Sequence, residues 1–420
     1  MDFIFEAMQL MENKETKRAL KLINDQLPNA NDEQKYAIVE FYLQWGFFEE
    51  AKELLHVLIR QYPDESELKV LLANIYIDLE NDQEAIQLLN EVREGDPSYE
   101  QALLQLADLY QSQGLFEVAE QKLLQAKQIN PDEIIIDLAL GEFYFSIAEY
   151  PKAVLYYERI IEQTKEVANI SITARLAEAL ASSGQYEQAL HYYEQLDSDD
   201  PDLLFKFGLT AYHTDRKDLA IQVWNQVLEI DEYYHTVYYE LANTYHEEGM
   251  LPEAYRISQQ GIQKDNFNKE LFYLAGVIAY ELEKYDESEK HLSNAVALDP
   301  DYLDAGLFLI KMYKEEDDYD KIVDFISDLQ AQGTTDPMYQ WELASAYSEL
   351  DDYDLAAEHY EEAYSYLNHN SDFLKEYGYF LVEYGQVQQA IPILKAYLNY
   401  EPTDLDMQDY LERLEDIYEE

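Results

Sequence analysis

Lys311 and Lys314 stand three residues apart in a chain that carries 29 basic residues against 87 acidic ones. On a helix that spacing puts both ammonium groups on one face, where they could hold a carboxylate. His235 and His246 fall on one expected helix, but eleven residues separate them, so they share a face without forming a close metal-ligand pair. We read them as helix-surface histidines. The runs Asp197-Ser-Asp-Asp-Pro-Asp202 and Glu315-Glu-Asp-Asp-Tyr-Asp320 have the acid density of a calcium loop. Pro201 takes a ligand position in the first, and both lack the glycine that the sharp turn of such a loop needs. Turns and the acidic first residues of helices account for them better. Carboxylate pairs occur throughout, so no single pair marks acid–base chemistry, which needs a desolvated pair in a pocket. There is no Gly-rich phosphate loop, no HExxH and no GxSxG. With no cysteine, thiol catalysis, Cys-based metal sites and disulfides drop out together. The expectation is a protein that is not an enzyme and holds no cofactor or metal.

The elements that would position these residues recur. Tyr42, Tyr76, Tyr110 and Tyr144 step by 34 residues, as do Ala51, Ala85, Ala119 and Ala153, and Pro63, Pro97 and Pro131. In the unit from Ser66 to Tyr99, Leu72, Ala73 and Tyr76 share one helix face and Ala85, Leu89 and Val92 another. Small residues at 73 and 85 let the two helices approach, Tyr76 fills the space beside them, and Pro97 ends the unit. The next units repeat this with Leu106, Ala107, Tyr110, Ala119, Leu123, Ala126 and Pro131, then Leu140, Gly141, Tyr144, Ala153 and Tyr157. A 34-residue period of paired helices is the pattern of a stacked solenoid, whose core lies between neighbours and whose length is not limited to one globule.

The step then slips: Ala153 to Ala189 is 36 residues and Ala189 to Ala220 is 31, after which 34 returns through Ala254, Ser288, Ile322, Ala356 and Ala390. We divide the chain into a degenerate first repeat (1–31), a regular block (32–169), a slipped stretch (170–234), a second regular block (235–403) and a capping helix (404–420). Leu405, Leu411, Leu414 and Ile417 give that last helix its apolar stripe. Phe3, Ile4, Phe5, Met8 and Leu10 leave two readings of the first repeat, a contact for self-association or a frayed end.

These residues resemble the tetratricopeptide repeat over nearly the whole chain, most weakly in the first unit and around 303–336. Leu106–Lys127 and its surroundings are similar, more narrowly, to the YpiA-type repeat proteins of low-GC Gram-positive bacteria. The resemblance implies an all-α, right-handed solenoid of about twelve helix-turn-helix repeats with a C-terminal capping helix, and a cytoplasmic, non-enzymatic bacterial protein. It also implies that first helices line a concave groove at the second, fifth, ninth and twelfth positions of each unit. Here those positions give Phe205, Leu209 and Tyr212; Tyr239, Asn243 and His246; Tyr273, Val277 and Tyr280; Leu307, Lys311 and Lys314; Met338, Trp341, Ser345 and Ser348; and Tyr379. Large aromatic rings with polar tips are what protein-binding surfaces favour. In the amino-terminal units the same positions (Glu33, Tyr36, Glu40, Glu67, Val70, Asn74, Gln101, Asp108) are mostly polar or acidic. The family's carboxylate clamp is not carried over, because Val70 and Tyr239 stand where its basic residues belong. Ile310 and Ile322 replace small residues in the unit of Lys311 and Lys314. That unit is either a distorted joint offering two lysines to an acidic segment or a degenerate repeat with solvated lysines.

The net charge of −58 opposes binding to nucleic acid, which rests on cations meeting phosphates, and to anionic lipid. Aromatics at 14% and 39 tyrosines set the chain apart from disordered acidic sequences. The acidity reads either as a solvated outer surface or as a groove that selects basic partners. The first fifteen residues lack the basic start and unbroken apolar run of a signal peptide. No stretch reaches the roughly 18 uncharged apolar residues of a membrane helix. The expected function is a scaffold or adaptor for peptide or helical segments of other proteins, basic or amphipathic ones included. A signalling-peptide or small-ligand receptor whose superhelix changes shape is the alternative.

Overall fold

Every repeat begins with a helix whose apolar residues recur at three- and four-residue steps, and every such helix ends at a residue that can turn left-handed. The computed structural model describes residues 2–419, with side chains through 416. The described residues form twenty-five α-helices, twelve hairpins and a final helix, as the period requires. The second residue after each first helix has positive φ: Lys14, Gly46, Glu80, Gly114, Ala148, Gly184, Asp215, Gly249, Glu283, Asp317, Asp351 and Gly385. At Gly114 the amide donates to the Gln111 carbonyl at 2.9 Å and Leu115 to Tyr110 at 2.8 Å, the paired bonds that close a helix on a left-handed residue.

The helices divide between two units, residues 1–198 and 199–420. The boundary falls inside the slipped stretch. In the first unit, first helices Asp2–Glu12, Asp32–Gln44, Ser66–Asp78, Tyr99–Ser112, Ile134–Ser146 and Ile172–Ser182 pair with Thr16–Gln26, Phe48–Gln61, Asp82–Asn90, Phe116–Ile129, Tyr150–Ile161 and Tyr186–Tyr193. In the second, Pro201–His213, His235–Glu247, Lys269–Glu281, Leu303–Glu315, Pro337–Glu349 and Ser371–Glu383 pair with Lys217–Ile230, Leu251–Lys264, Tyr285–Leu298, Tyr319–Ala331, Tyr353–Leu367 and Val387–Tyr400, and Leu405–Glu419 follows.

The slip has two local causes. A two-strand ribbon, Glu166–Val167 paired with Ile170–Ser171, is inserted after Ile161 and turns on Ala168 and Asn169, both at positive φ. It lengthens one step. The helix Tyr186–Tyr193 has only eight residues, which shortens the next.

Packing follows the small-against-large rule. A Cβ on Gly208 would stand 2.2 Å from Trp224 Nε1, and one on Gly141 2.6 Å from the Tyr157 ring. The missing side chain is thus the space that each ring occupies. Ile310 and Ile322 break the rule and are fully buried. Their helices, Leu303–Glu315 and Tyr319–Ala331, approach each other less closely than the two helices of any other hairpin. The expected distortion of this joint is present.

The first repeat is folded, not frayed: Ile4, Ala7 and Met11 are buried, Phe3, Met8 and Leu10 pack beside them, and Phe5 is left 66% exposed. The final helix packs through Met407 and Leu411, with Leu414 against the same core. Leu405 does not share that face and is 69% exposed. The side chain of Ile417 lies outside the described residues. Asp404 anchors the start of this helix. It accepts from Tyr397 Oη at 2.7 Å and Lys375 Nζ at 2.9 Å, and these bonds hold its pKa at about 2.

Candidate partner-binding face

In the second unit, first helices of successive hairpins lie next to one another, and His235–Glu247 touches Lys269–Glu281 directly. Their equivalent positions therefore form rows. The twelfth-position side chains reach across to the next helix. Tyr212 Oη donates to both oxygens of Glu247 at 2.8 and 2.9 Å. His246 Nε2 lies 2.9 Å from Glu281 Oε2, and Tyr280 Oη donates to Glu315 at 2.5 Å. Each link spans 35 residues. Asn243 adds a donor to Glu247 at 3.0 Å. Burial works against charge on Glu247, but the bonds from Tyr212 and Lys217 outweigh it and hold its pKa below the usual carboxylate range. The bond to Glu315, with some burial, pushes the Tyr280 hydroxyl up to about 12, so it stays a donor at any physiological pH.

The acceptors are a feature that the groove positions alone did not name. Glu247, Glu281 and Glu315, which accept these links, recur with Glu349 and Glu383 every 34 residues, and each of the five is the last residue of its first helix. The same period that revealed the tyrosines would have revealed them. A carboxylate there faces the negative end of the helix dipole, where cations are favoured. All five are exposed. Glu383 also borders an open cleft of about 400 Å³ with Asp351, Asp352, Asp354, Tyr353 and Tyr384.

The expected groove residues are only partly free. Phe205 lies 5.3 Å from Tyr234 and 6.4 Å from Trp224 between ring centres, and its carbonyl accepts from Trp224 Nε1 at 3.2 Å. Tyr273 meets Tyr302 edge-on at 5.5 Å. Trp341 meets Phe373 in the same way at 5.5 Å. Tyr379 is partly exposed, with its ring centre 5.3 Å from that of Tyr410 in the final helix. Tyr239 is half-buried, and burial raises its pKa ahead of the nearby Glu240, Glu270 and Glu247. These rings serve the packing of one hairpin on the next as well as the surface. In the first unit, Val70 is buried, Tyr36 donates to Glu67 at 2.7 Å and Gln105 to Asn74 at 2.6 Å.

The two lysines are not a free cationic pair. Lys314 Nζ stands 2.5 Å from Glu342 Oε2. Lys311 Nζ lies 4.9 Å from the centre of the Tyr280 ring, 5.1 Å from that of Phe308 and 3.9 Å from Glu315. Both charges are answered by residues of this repeat and its two neighbours, so the lysines form neither an open pair nor a fully solvated one.

Paired helices on a 34-residue period, a small residue against each large one, and rows of equivalent side chains on the first helices together define a tetratricopeptide-repeat protein. Comparison with known proteins narrows the class. The profile of the YpiA-like tetratricopeptide repeats matches residues 111–165 and that of the YpiA-like C-terminal repeats matches 337–404, with general tetratricopeptide-repeat profiles at 175–235 and 270–302. The chain is 39% identical over 417 residues to the TPR repeat-containing protein YpiA of Bacillus subtilis (strain 168), covering 99% of both. The chain belongs to the YpiA-like family. A more distant similarity, 23% over 75% of this chain and 67% of the other, is to the human DnaJ homolog subfamily C member 7. Among solved structures, YrrB, described as a TPR protein with an unusual peptide-binding site, is 20% identical with a TM-score of 0.39, covering 44% of this chain and 95% of that one. The Cut9–Hcn1 assembly gives 13% and 0.37, covering 98% of this chain and 95% of the other. Among the described residues no helix is long and apolar enough to cross a membrane.

Proposed function

We propose that the chain is a non-enzymatic, cytoplasmic scaffold or adaptor that holds segments of partner proteins against the first-helix face of its second unit, the concave groove of a tetratricopeptide superhelix. The segments are peptides or helices bearing Lys or Arg. One observation carries this reading: five exposed glutamates on a 34-residue period edge the aromatic lining, each at a helix end where its charge is disfavoured. Glu247, Glu281 and Glu315 also link one hairpin to the next, but a row of five exposed carboxylates along one edge leaves acceptor capacity for a cationic segment. A cationic segment would relieve the mutual repulsion of the row, and the acidic field would speed its capture. The rings beneath supply contact area that stacked helices already hold in place, which lowers the ordering cost on binding.

The test is fluorescence anisotropy of the whole protein with a labelled fifteen-residue Gly/Ser peptide carrying five spaced lysines, beside its glutamate analogue. We expect saturable binding of the first alone, weakened about tenfold or more when Tyr239, Tyr273 and Tyr280 are changed to Ala. Equal behaviour of parent and variant would remove this face as the site. A second reading, a receptor for a signalling peptide or small ligand, draws on the cross-helix links of Tyr212, His246 and Tyr280. A ligand that captured those glutamates would loosen one hairpin from the next, and small-angle scattering with and without ligand would register the change of shape.

A further inference from the structure

Phe267 is the most exposed large apolar side chain among the described residues, at 79%, and Tyr233, 34 residues earlier, is 61% exposed. Both stand in turns that join one hairpin to the next. Tyr233 lies between Lys217–Ile230 and His235–Glu247, and Phe267 between Leu251–Lys264 and Lys269–Glu281. The same device holds each turn: Asp231 Oδ1 accepts from the Tyr233 amide and Asp265 Oδ1 from the Phe267 amide, both at 2.9 Å. Such side-chain turns fix the backbone, so the rings project from rigid supports. The two turns are neighbours. Lys264, three residues before Phe267, sets its ammonium 4.5 Å from the centre of the Tyr233 ring and pairs with Glu232 at 2.8 Å. Ile230, also exposed, ends the helix that leads into the first turn.

A lone exposed ring needs no explanation. Two large rings at the same place in consecutive hairpins, on matching locked turns, make a presented pair. The surroundings decide what can cover it. Glu229, Glu232 and Glu270 are exposed around the rings, while Lys264 and Lys269 are held by Glu232 and Asp299. A second copy of this chain would bring the same acidic rim and be repelled, as would an anionic lipid surface. We propose that Tyr233 and Phe267 anchor an amphipathic helical segment of a partner protein, whose apolar face covers the two rings and whose flanking Lys or Arg side chains meet the acidic rim. The site lies on the turns, apart from the first-helix face, and stands whether or not that face binds anything.

The probe is a labelled eighteen-residue peptide of Leu and Lys with leucines at helical spacing, titrated with the whole protein and read by anisotropy. Its controls are a scrambled peptide of the same composition and a Leu/Glu analogue. The variant is Tyr233→Ser with Phe267→Ser, two exposed positions where circular dichroism should be unchanged. We expect the double variant to weaken the Leu/Lys peptide about tenfold or more, with each single change giving a smaller loss. Because the first-helix face is itself proposed to hold lysine-bearing segments, the comparison is repeated in a Tyr239→Ala, Tyr273→Ala background, where the loss caused by Tyr233→Ser with Phe267→Ser should persist. The proposal is overturned if the double variant binds as the parent does, if the scrambled peptide binds as well as the ordered one, or if only the Tyr239/Tyr273 variant loses binding. Sedimentation with neutral phosphatidylcholine vesicles that depends on Phe267 would also overturn it, by assigning the rings to a lipid surface.

Discussion

The two units use one repeat to end their first helices differently. In the first unit those helices end on Glu12, Gln44, Asp78, Ser112, Ser146 and Ser182; in the second they end on His213 and then on five glutamates. The cross-helix link exists in both, but in the first it joins neutral groups, Gln111 to Ser146 at 3.0 Å. In the second it joins Tyr or His to a carboxylate. The hairpin therefore closes and stacks without a charge at this position. What the second unit adds is an acidic edge beside an aromatic lining, and the fold does not demand it.

Packing changes should separate the two units most strongly. Leu55→Ala in the first unit removes a fully buried side chain and should cost about 2–5 kcal/mol. Gly208→Ala in the second drives a methyl into Trp224 and should cost about 1–3 kcal/mol. Denaturant unfolding followed by circular dichroism should show a separate transition moving in each case. A single shared transition for both variants would mean that the units unfold as one. The carboxylate row comes next. Changing all five glutamates to Gln should abolish most binding of the lysine peptide, and Ser112→Glu with Ser146→Glu and Ser182→Glu should confer some of it on the first unit. If the grafted row gains nothing, the aromatic lining rather than the charge distinguishes the units.

A smaller effect concerns pH. Burial lowers the pKa of His291 and of His359, both in the second unit. The unfolded chain then takes up these protons first, so their contribution is intact above about pH 6.5 and is lost as pH falls below it, until the folded-state values are passed. Thermal unfolding between pH 7 and 5 should be flatter for a His291→Asn, His359→Asn variant than for the parent, which also cancels the general relief of acidic repulsion. The smallest effect is conformational. Glu283→Gly should stabilise by up to about 1 kcal/mol and Gly114→Ala destabilise by a similar amount, because both positions hold positive φ.

The small positions were legible as a repeating site, but the ring or branched side chain that fills each was not: Gly141 meets Tyr157, Gly208 meets Trp224 and Gly378 meets Leu394, each sixteen residues on in the same hairpin. The slip was legible as a change of step, but not as an inserted ribbon, since Glu166–Ser171 carries no turn residue as plain as Asn-Gly. The groove positions were legible only as places on helices. Whether Phe205 faces a visitor or Tyr234, and whether Lys314 is free or held by Glu342, depends on side chains brought alongside from the next hairpin.

The sequence by itself determined the repeat: its period, its paired helices and the acidic excess. These follow from interactions within some twenty residues, which leave a pattern in composition and spacing. Only the tertiary structure decided which carboxylate receives which hydroxyl, which aromatic is spent on packing and which stands in water. Those choices are made across 24 to 36 residues by hairpins that must first lie side by side, and the strength of a charge or a donor there depends on how far its neighbours have displaced water.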